Sequence, residues 1–175
     1  MLLVLAAALV IVFAIEYTAK RIFPLKFQGF VIEYSRQHNI DPFLVYAIIK
    51  AESNFRPDAV SKKDARGLMQ ISKITGEWGA AELKLENYTQ ESLFTPEINI
   101  KIGCWYLRKL MDEFNNNTDL VIAAYNGGSG NVSQWLKNEE YSMTGQSLNR
   151  IPFRETETFL KRVKIYYSIY KFLYG

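Results

Sequence analysis

From Leu25 onward the apolar residues recur every three or four positions, and no convincing run of alternating strand residues appears. A half-buried strand needs a period of two, whereas a period near 3.6 buries one stripe of a helix. The chain is therefore expected to be mainly α. Phe27, Phe30, Val31 and Tyr34 mark an amphipathic helix ending near Asn39. Asp41-Pro42 then opens a second helix, since Asp caps free N–H groups and Pro is tolerated at the first helical position. That helix is expected to run to about Ser53, before Asn54 and Pro57. A polar stretch, Ser61 to Arg66, leads into Gly67-Leu68-Met69-Gln70. Thr95-Pro96 repeats the cap-plus-proline signal and opens a long helix through about Phe114. Asn115-Asn116-Asn117 reads as a loop, and a helix from about Asp119 meets a glycine turn at Tyr125-Asn126-Gly127-Gly128. A short helix carries Val132 to Leu136, and Ile151-Pro152 leads into a last helix rich in Tyr, Phe and Lys.

With 175 residues, 49% hydrophobic and 22% charged, the chain has the size and balance of one globular domain. Its formal charge of +3 falls short of the basic footprint of a nucleic-acid binder, so no nucleic-acid partner is expected. A single cysteine, Cys104, excludes an internal disulfide and reads as a packed core thiol.

The front of the chain is uneven. Met1 to Ile15 carries no charge, Glu16 interrupts the run, and Lys20, Arg21 and Lys26 follow. A full membrane span needs roughly 20 residues, and a secretory core segment fits the length better but lacks its usual cationic leader. Residues 1–22 are expected to be an N-terminal membrane anchor or signal segment, with a buried core helix as the remaining alternative. The cations after the run favour a cytoplasmic C-terminal side.

One His and one Cys leave no cluster with metal-ligand spacing, so no metal site is expected. His38 lies in a polar helix-end context and reads as solvated, and Gly127-Gly128-Ser129-Gly130 lacks the lysine of a phosphate loop. What remains is carboxylate chemistry. Counting back from Glu52 by helical spacing meets Ile49, Ile48 and Val45, so its carboxyl leaves an apolar face. Burial disfavours the charged form, and the negative end of the helix dipole pushes the same way. Both keep the acid protonated near neutral pH, as a general acid requires. A Glu that bends to solvent at the helix end is the bland alternative.

Ala51-Glu52-Ser53, Gly67-Leu68-Met69-Gln70-Ile71, Ala124-Tyr125-Asn126 and Ile151-Pro152-Phe153-Arg154-Glu155-Thr156 occur in this order. Together they resemble the catalytic domain of the soluble lytic murein transglycosylases, over about Gln28 to Tyr170. The resemblance implies a single lysozyme-like domain of the goose-type and lytic-transglycosylase kind, over residues 27–175, behind the apolar N-terminal helix. It implies Glu52 as the single catalytic acid/base, with Ser61 and Gln70 lining the sugar cleft and the Tyr125 hydroxyl close to the acid. Asn126 falls on the same motif as Tyr125, and Glu155 matches a second acid that positions substrate or polarises the cleft. The family often continues Gly-Leu-Met-Gln with Ile-Met-Pro-x-Thr. Here Ser72-Lys73-Ile74-Thr75 stands instead, which puts one apolar sugar contact at Ser72 in doubt.

The implied activity is non-hydrolytic cleavage of the β-1,4 bond between N-acetylmuramic acid and N-acetylglucosamine in peptidoglycan glycan strands, leaving 1,6-anhydromuramic acid ends. It requires no cofactor. The implied location is the extracytoplasmic face of the bacterial membrane or the cell wall. Two rivals stand beside it: a hydrolytic muramidase on the same scaffold, with Glu155 as second carboxylate, and a non-catalytic membrane-tethered wall-binding protein.

Overall fold

The computed structural model describes the backbone of residues 1–175 and all side chains except those of residues 2–8. The helices are α1 (Leu2–Ile22), α2 (Gln28–Gln37), α3 (Pro42–Glu52), α4 (Lys73–Glu82), α5 (Pro96–Glu113), α6 (Thr118–Gly127), α7 (Ser129–Leu136) and α8 (Arg154–Tyr174). A 3₁₀ turn, Gln90–Phe94, precedes α5. Among the described residues no strand forms, and two isolated bridges, Val60 with Arg66 and Arg66 with Ile71, fold the loop after α3.

Helix α3 is the centre of the domain. Leu44, Val45, Tyr46, Ala47, Ile48 and Ile49 are all buried, and a helix apolar on every side must be covered all round. Helix α8 lies along it most extensively, with α2 also against it. The Asp41 carboxylate accepts from the Phe43 amide at 2.9 Å, and Pro42 takes the first turn, as the sequence predicts. The helix stops at Glu52, because Asn54 and Phe55 both turn into left-handed backbone with φ of 52° and 64°.

Several local expectations need correction. Helix α5 starts at Pro96, but the Thr95 side chain makes no capping bond. Tyr125, Asn126 and Gly127 form the last turn of α6 rather than the start of the glycine turn, and the chain turns at Gly128, whose φ is 86°. His38 is half-buried at the end of α2, with Nε2 buried and, among the described residues, unpartnered, so the solvated reading does not hold. Burial, then the charges of Lys101 and Arg108, lowers its pKa. Helix α4 has no counterpart among the expected elements. It is capped by Ser72, whose hydroxyl oxygen accepts from the Thr75 amide at 3.1 Å and supplies a start signal without proline. Cys104 is buried in the core, as expected.

The end of α1 is built into the domain. Lys50 Nζ donates to the Ile22 carbonyl at 2.7 Å, Tyr174 Oη to that of Phe23 at 2.8 Å, and Tyr170 Oη to that of Pro24 at 3.3 Å. The Phe23 ring packs edge-on against Tyr166 and Tyr170. Further back, Leu9, Val10, Ile11, Val12, Phe13 and Ile15 are exposed. Among the described residues no helix is long and apolar enough to cross a membrane. The side chains at 2–8, on which the expected anchor also draws, lie outside those described.

Candidate active site

The loop after α3 is held by three helices. Ser53 Oγ, one residue beyond α3, donates to the Leu68 carbonyl at 2.7 Å. On α5, Asn99 Oδ1 accepts from the Met69 amide at 2.8 Å, while its Nδ2 donates to the carbonyls of Arg66 and Leu93 at 2.9 and 2.8 Å. On α6, Tyr125 Oη donates to the Met69 carbonyl at 2.8 Å. Gly67, at φ 78°, meets the Asn99 amide and the Leu93 carbonyl so closely that no Cβ fits there. This clamp holds Gln70 in left-handed backbone at φ 49°. Gln70 Nε2 donates to the carbonyls of Ala59 and Gly67, so its own carbonyl oxygen is the group left for a ligand.

Asn99 escaped the sequence reading, although a signal was available. It shares a helical face with Ile102, Gly103 and Tyr106, at spacings of three, four and seven. A lone amide on a buried face must find partners, and here it finds three.

Glu52, the last residue of α3, is half-buried and, among the described residues, makes no hydrogen bond or ion pair. Burial raises its pKa to about 8; the Arg162 charge opposes that shift and the Glu155 charge adds to it. The acid lines a cavity of about 590 Å³ together with Lys50, Arg56, Arg162 and Tyr166. Burial, and then the Glu52 charge, hold the Tyr125 phenol well above its ordinary pKa, so these two groups share one field. Tyr125 in turn lines a second cavity, of about 230 Å³, with Gln70, Ser72, Thr75, Tyr106 and Asn126. That second cavity has no charged side chain in its lining.

The structure thus gathers Gln70, Tyr125 and Asn126 around one cavity and places Glu52 in another. Asn126 Oδ1 accepts from Thr156 Oγ1 at 2.9 Å, which ties the α6 motif to the α8 motif. Ser72, where an apolar contact was in doubt, faces the uncharged cavity while capping α4. Ser61 lines neither cavity. Its oxygen accepts from the amides of Lys63 and Ala65, closing the turn that carries it. Glu155 is exposed in the first turn of α8, lines neither cavity, and reaches Glu52 through its charge. Among the described residues no group of three or more His, Cys, Asp or Glu is placed to hold a metal ion.

A helical domain whose cationic cavity holds one carboxyl of raised pKa can support acid chemistry at that carboxyl. The sequence matches the transglycosylase SLT domain over residues 29–146, and the chain belongs to that family. It is 34% identical over 155 residues to the soluble lytic murein transglycosylase of Salmonella typhimurium, covering 87% of this chain and 24% of that protein. It is also 34% identical over 143 residues to membrane-bound lytic murein transglycosylase C of Sodalis glossinidius, covering 73% of this chain and 38% of the relative. Among solved structures, the 70 kDa soluble lytic transglycosylase of Escherichia coli superposes with a TM-score of 0.80 at 31% identity, covering 90% of this chain and 26% of that one. The chain thus spans about a quarter of the length of the soluble relatives it matches. The lysozyme-like, mainly helical catalytic-domain fold expected from the motifs is the fold observed.

Proposed function

We propose that the chain is a peptidoglycan lytic transglycosylase that cleaves the β-1,4 bond between N-acetylmuramic acid and N-acetylglucosamine without consuming water. The observation that carries this reading is Glu52: a carboxyl protonated up to about pH 8, with no second carboxylate lining either cavity. Most glycosidases work with two carboxylates at a defined separation, which this site does not offer, and substrate assistance is the known exception. Protonated Glu52 donates to the glycosidic oxygen as the bond to C1 breaks. The 2-acetamido group of the muramoyl residue stabilises the cationic centre. Glu52, now a carboxylate, takes the proton of the C6 hydroxyl as that oxygen bonds to C1, which closes the 1,6-anhydro ring and returns the acid to its starting state.

In this reading Tyr125 and Gln70 orient the sugar, Ser61 and Asn126 belong to the binding surface, and Glu155 acts through its charge. Neither metal nor cofactor is needed. Residues 27–175 form the catalytic unit, and residues 1–22 tether it at the extracytoplasmic face of the membrane. Support for the tether comes from the exposed apolar residues of α1 and from a relative named as membrane-bound.

Two measurements test the reading. Glu52→Gln keeps the shape but cannot release and regain a proton, so lytic activity on purified sacculi should fall by about 10²- to 10⁴-fold; activity near the parent's sinks the assignment. Mass spectrometry of the released muropeptides should show anhydro ends, one water lighter than the reducing ends of a hydrolytic muramidase. A muramidase would have to recruit Glu155, which lies outside both cavities.

A further inference from the structure

Helix α1 leaves the domain at one definite place. Phe23 packs against Tyr166 and Tyr170 of α8, with ring centres 5.4 and 5.5 Å apart. Three residues earlier, the Lys20 ammonium lies over the ring of Tyr174, in the last turn of α8, at 5.7 Å. Followed backward, α1 therefore runs off the C-terminal end of α8. Beyond that point Tyr17 and Ile15 are exposed, as are Leu9 to Phe13 before them. We propose that the C-terminal end of α8 and the adjoining stretch of α1 form a face of the catalytic domain that docks on an anionic lipid surface. The inference rests on the tether proposed above and adds a second contact, made by the folded domain itself.

The residues at this end are those of a membrane interface, which favours Tyr at headgroup level and Lys or Arg beside anionic lipid. Tyr17 is 65% exposed, and the Arg21 guanidinium lies over its ring at 5.9 Å. Arg21 and Lys26 are exposed and, among the described residues, have no carboxylate partner. The acids Glu16 and Asp41 are already engaged. Glu16 pairs with Lys20, while Asp41 accepts from the Tyr167 hydroxyl at 2.6 Å and lies 3.7 Å from Lys171. The charge left to face a ligand is positive, which complements an anionic headgroup.

Phe172 separates a docked end from a merely solvated one. It lies in the last turn of α8 and is 87% exposed, more than any other described large apolar side chain except Met1. Single exposed apolar residues are ordinary on a protein surface. This one, however, sits at the helix end from which an apolar helix departs. An apolar segment backed by a basic, aromatic patch binds an anionic membrane more firmly than either does alone.

The junction is stiff enough to carry the domain at a fixed attitude. The carbonyls of Ile22, Phe23 and Pro24 accept in turn from Lys50, Tyr174 and Tyr170. Arg162, which lines a cavity with Glu52, lies twelve residues before Tyr174, about 18 Å along α8. Docking by this end thus keeps the acid clear of the headgroups and directs it to glycan next to the membrane.

The test attaches a polarity-sensitive fluorescent label to the full chain through Phe172→Cys or, separately, Met143→Cys. Cys104 is buried and out of reach of the reagent. Met143 is 78% exposed and lies on the loop before α8, toward the other end of that helix. Vesicles of phosphatidylcholine mixed with phosphatidylglycerol, carrying a quencher at headgroup level, are compared with vesicles of phosphatidylcholine and the same quencher. On the anionic vesicles the label at position 172 should shift to the blue and lose emission to the quencher, and the label at position 143 should do neither. Arg21→Gln with Lys26→Gln should lower the ratio of docked to undocked chains by about five-fold for each charge removed. Chain that floats with the vesicles while its label at position 172 stays in water overturns the docking face and leaves the tether standing. Equal quenching on both kinds of vesicle overturns the preference for anionic lipid. A blue shift without quenching, as burial against a second copy of the chain gives, overturns the lipid contact as well. If the chain floats with neither kind of vesicle, the tether falls and the docking face falls with it.

Discussion

The Tyr125 hydroxyl donates its proton to the Met69 carbonyl oxygen at 2.8 Å, and not to Glu52. Only the lone pairs of the phenol oxygen then remain for the acid or a sugar, so Tyr125 serves the site as an acceptor. The same bond holds the loop whose next residue is Gln70. Tyr125→Phe leaves the Met69 carbonyl without that partner, at a cost of about 1–2 kcal/mol in urea unfolding. It should also lower kcat on sacculi roughly ten-fold, the worth of one hydrogen bond at the reacting group, with little change in KM. Unchanged kcat would remove Tyr125 from the reacting site and leave it a structural clamp.

Activity that depends on protonated Glu52 should fall as pH rises through about 8. Removing a nearby charge should move that alkaline limb in a direction fixed by its sign. Arg162 favours the carboxylate, so Arg162→Gln should shift the limb to higher pH. Glu155 disfavours it, so Glu155→Gln should shift the limb lower. Profiles of kcat/KM measured at low ionic strength would show both shifts best, because salt screens them. Shifts of the same sign in both variants would refute this electrostatic picture.

Glu52 should also cost stability where it is useful. Its folded pKa, about 8, lies above the ordinary value of 4.5. Below that lower value both states hold the proton and the folded chain has its full stability. As pH rises toward 8 the unfolded chain releases the proton while the folded one keeps it, so stability falls across this window. Glu52→Gln removes the effect. It should match the parent near pH 4 and be more stable near pH 8 by an amount on the order of 3 kcal/mol, measured by thermal or urea unfolding. Its lytic activity should drop by about 10²- to 10⁴-fold. Identical pH–stability curves for the two proteins would mean that the carboxyl is not desolvated.

What the sequence disclosed depended on how locally each element is encoded. Helix α3 announces itself through Asp41-Pro42 and an apolar run, and Glu52 follows from counting back along it. Helix α4 does not. It carries Gly76 and Gly79 within ten residues, which depresses helix propensity. Their purpose appears only in three dimensions, since a Cβ at Gly79 would meet Ile102 and Trp105, and one at Gly76 would meet the Tyr88 hydroxyl. The motif residues were legible as a set, but their division between two cavities was not. That division depends on α8, which comes more than 100 residues after Glu52 and brings Arg162 to its side. Ser61 shows the converse, a motif position whose oxygen is already engaged by its own turn.

Asn99 offers the sharpest test of how the site is held. Its three hydrogen bonds reach the Met69 amide and the carbonyls of Arg66 and Leu93, and the side chain is fully buried. Asn99→Ala would leave buried polar groups unpaired, and should cost about 2–4 kcal/mol in urea unfolding. Gly67→Ala should cost a similar amount, roughly 2–4 kcal/mol, because it forces a left-handed residue and drives a methyl against both Asn99 and the Leu93 carbonyl. In the double variant the collision with Asn99 disappears while that with Leu93 persists. The combined cost should therefore be less than the sum of the two, by about 1 kcal/mol. Strict additivity would show that the Gly67 constraint lies in the backbone alone, and that Asn99 holds Met69 without shaping the turn before it.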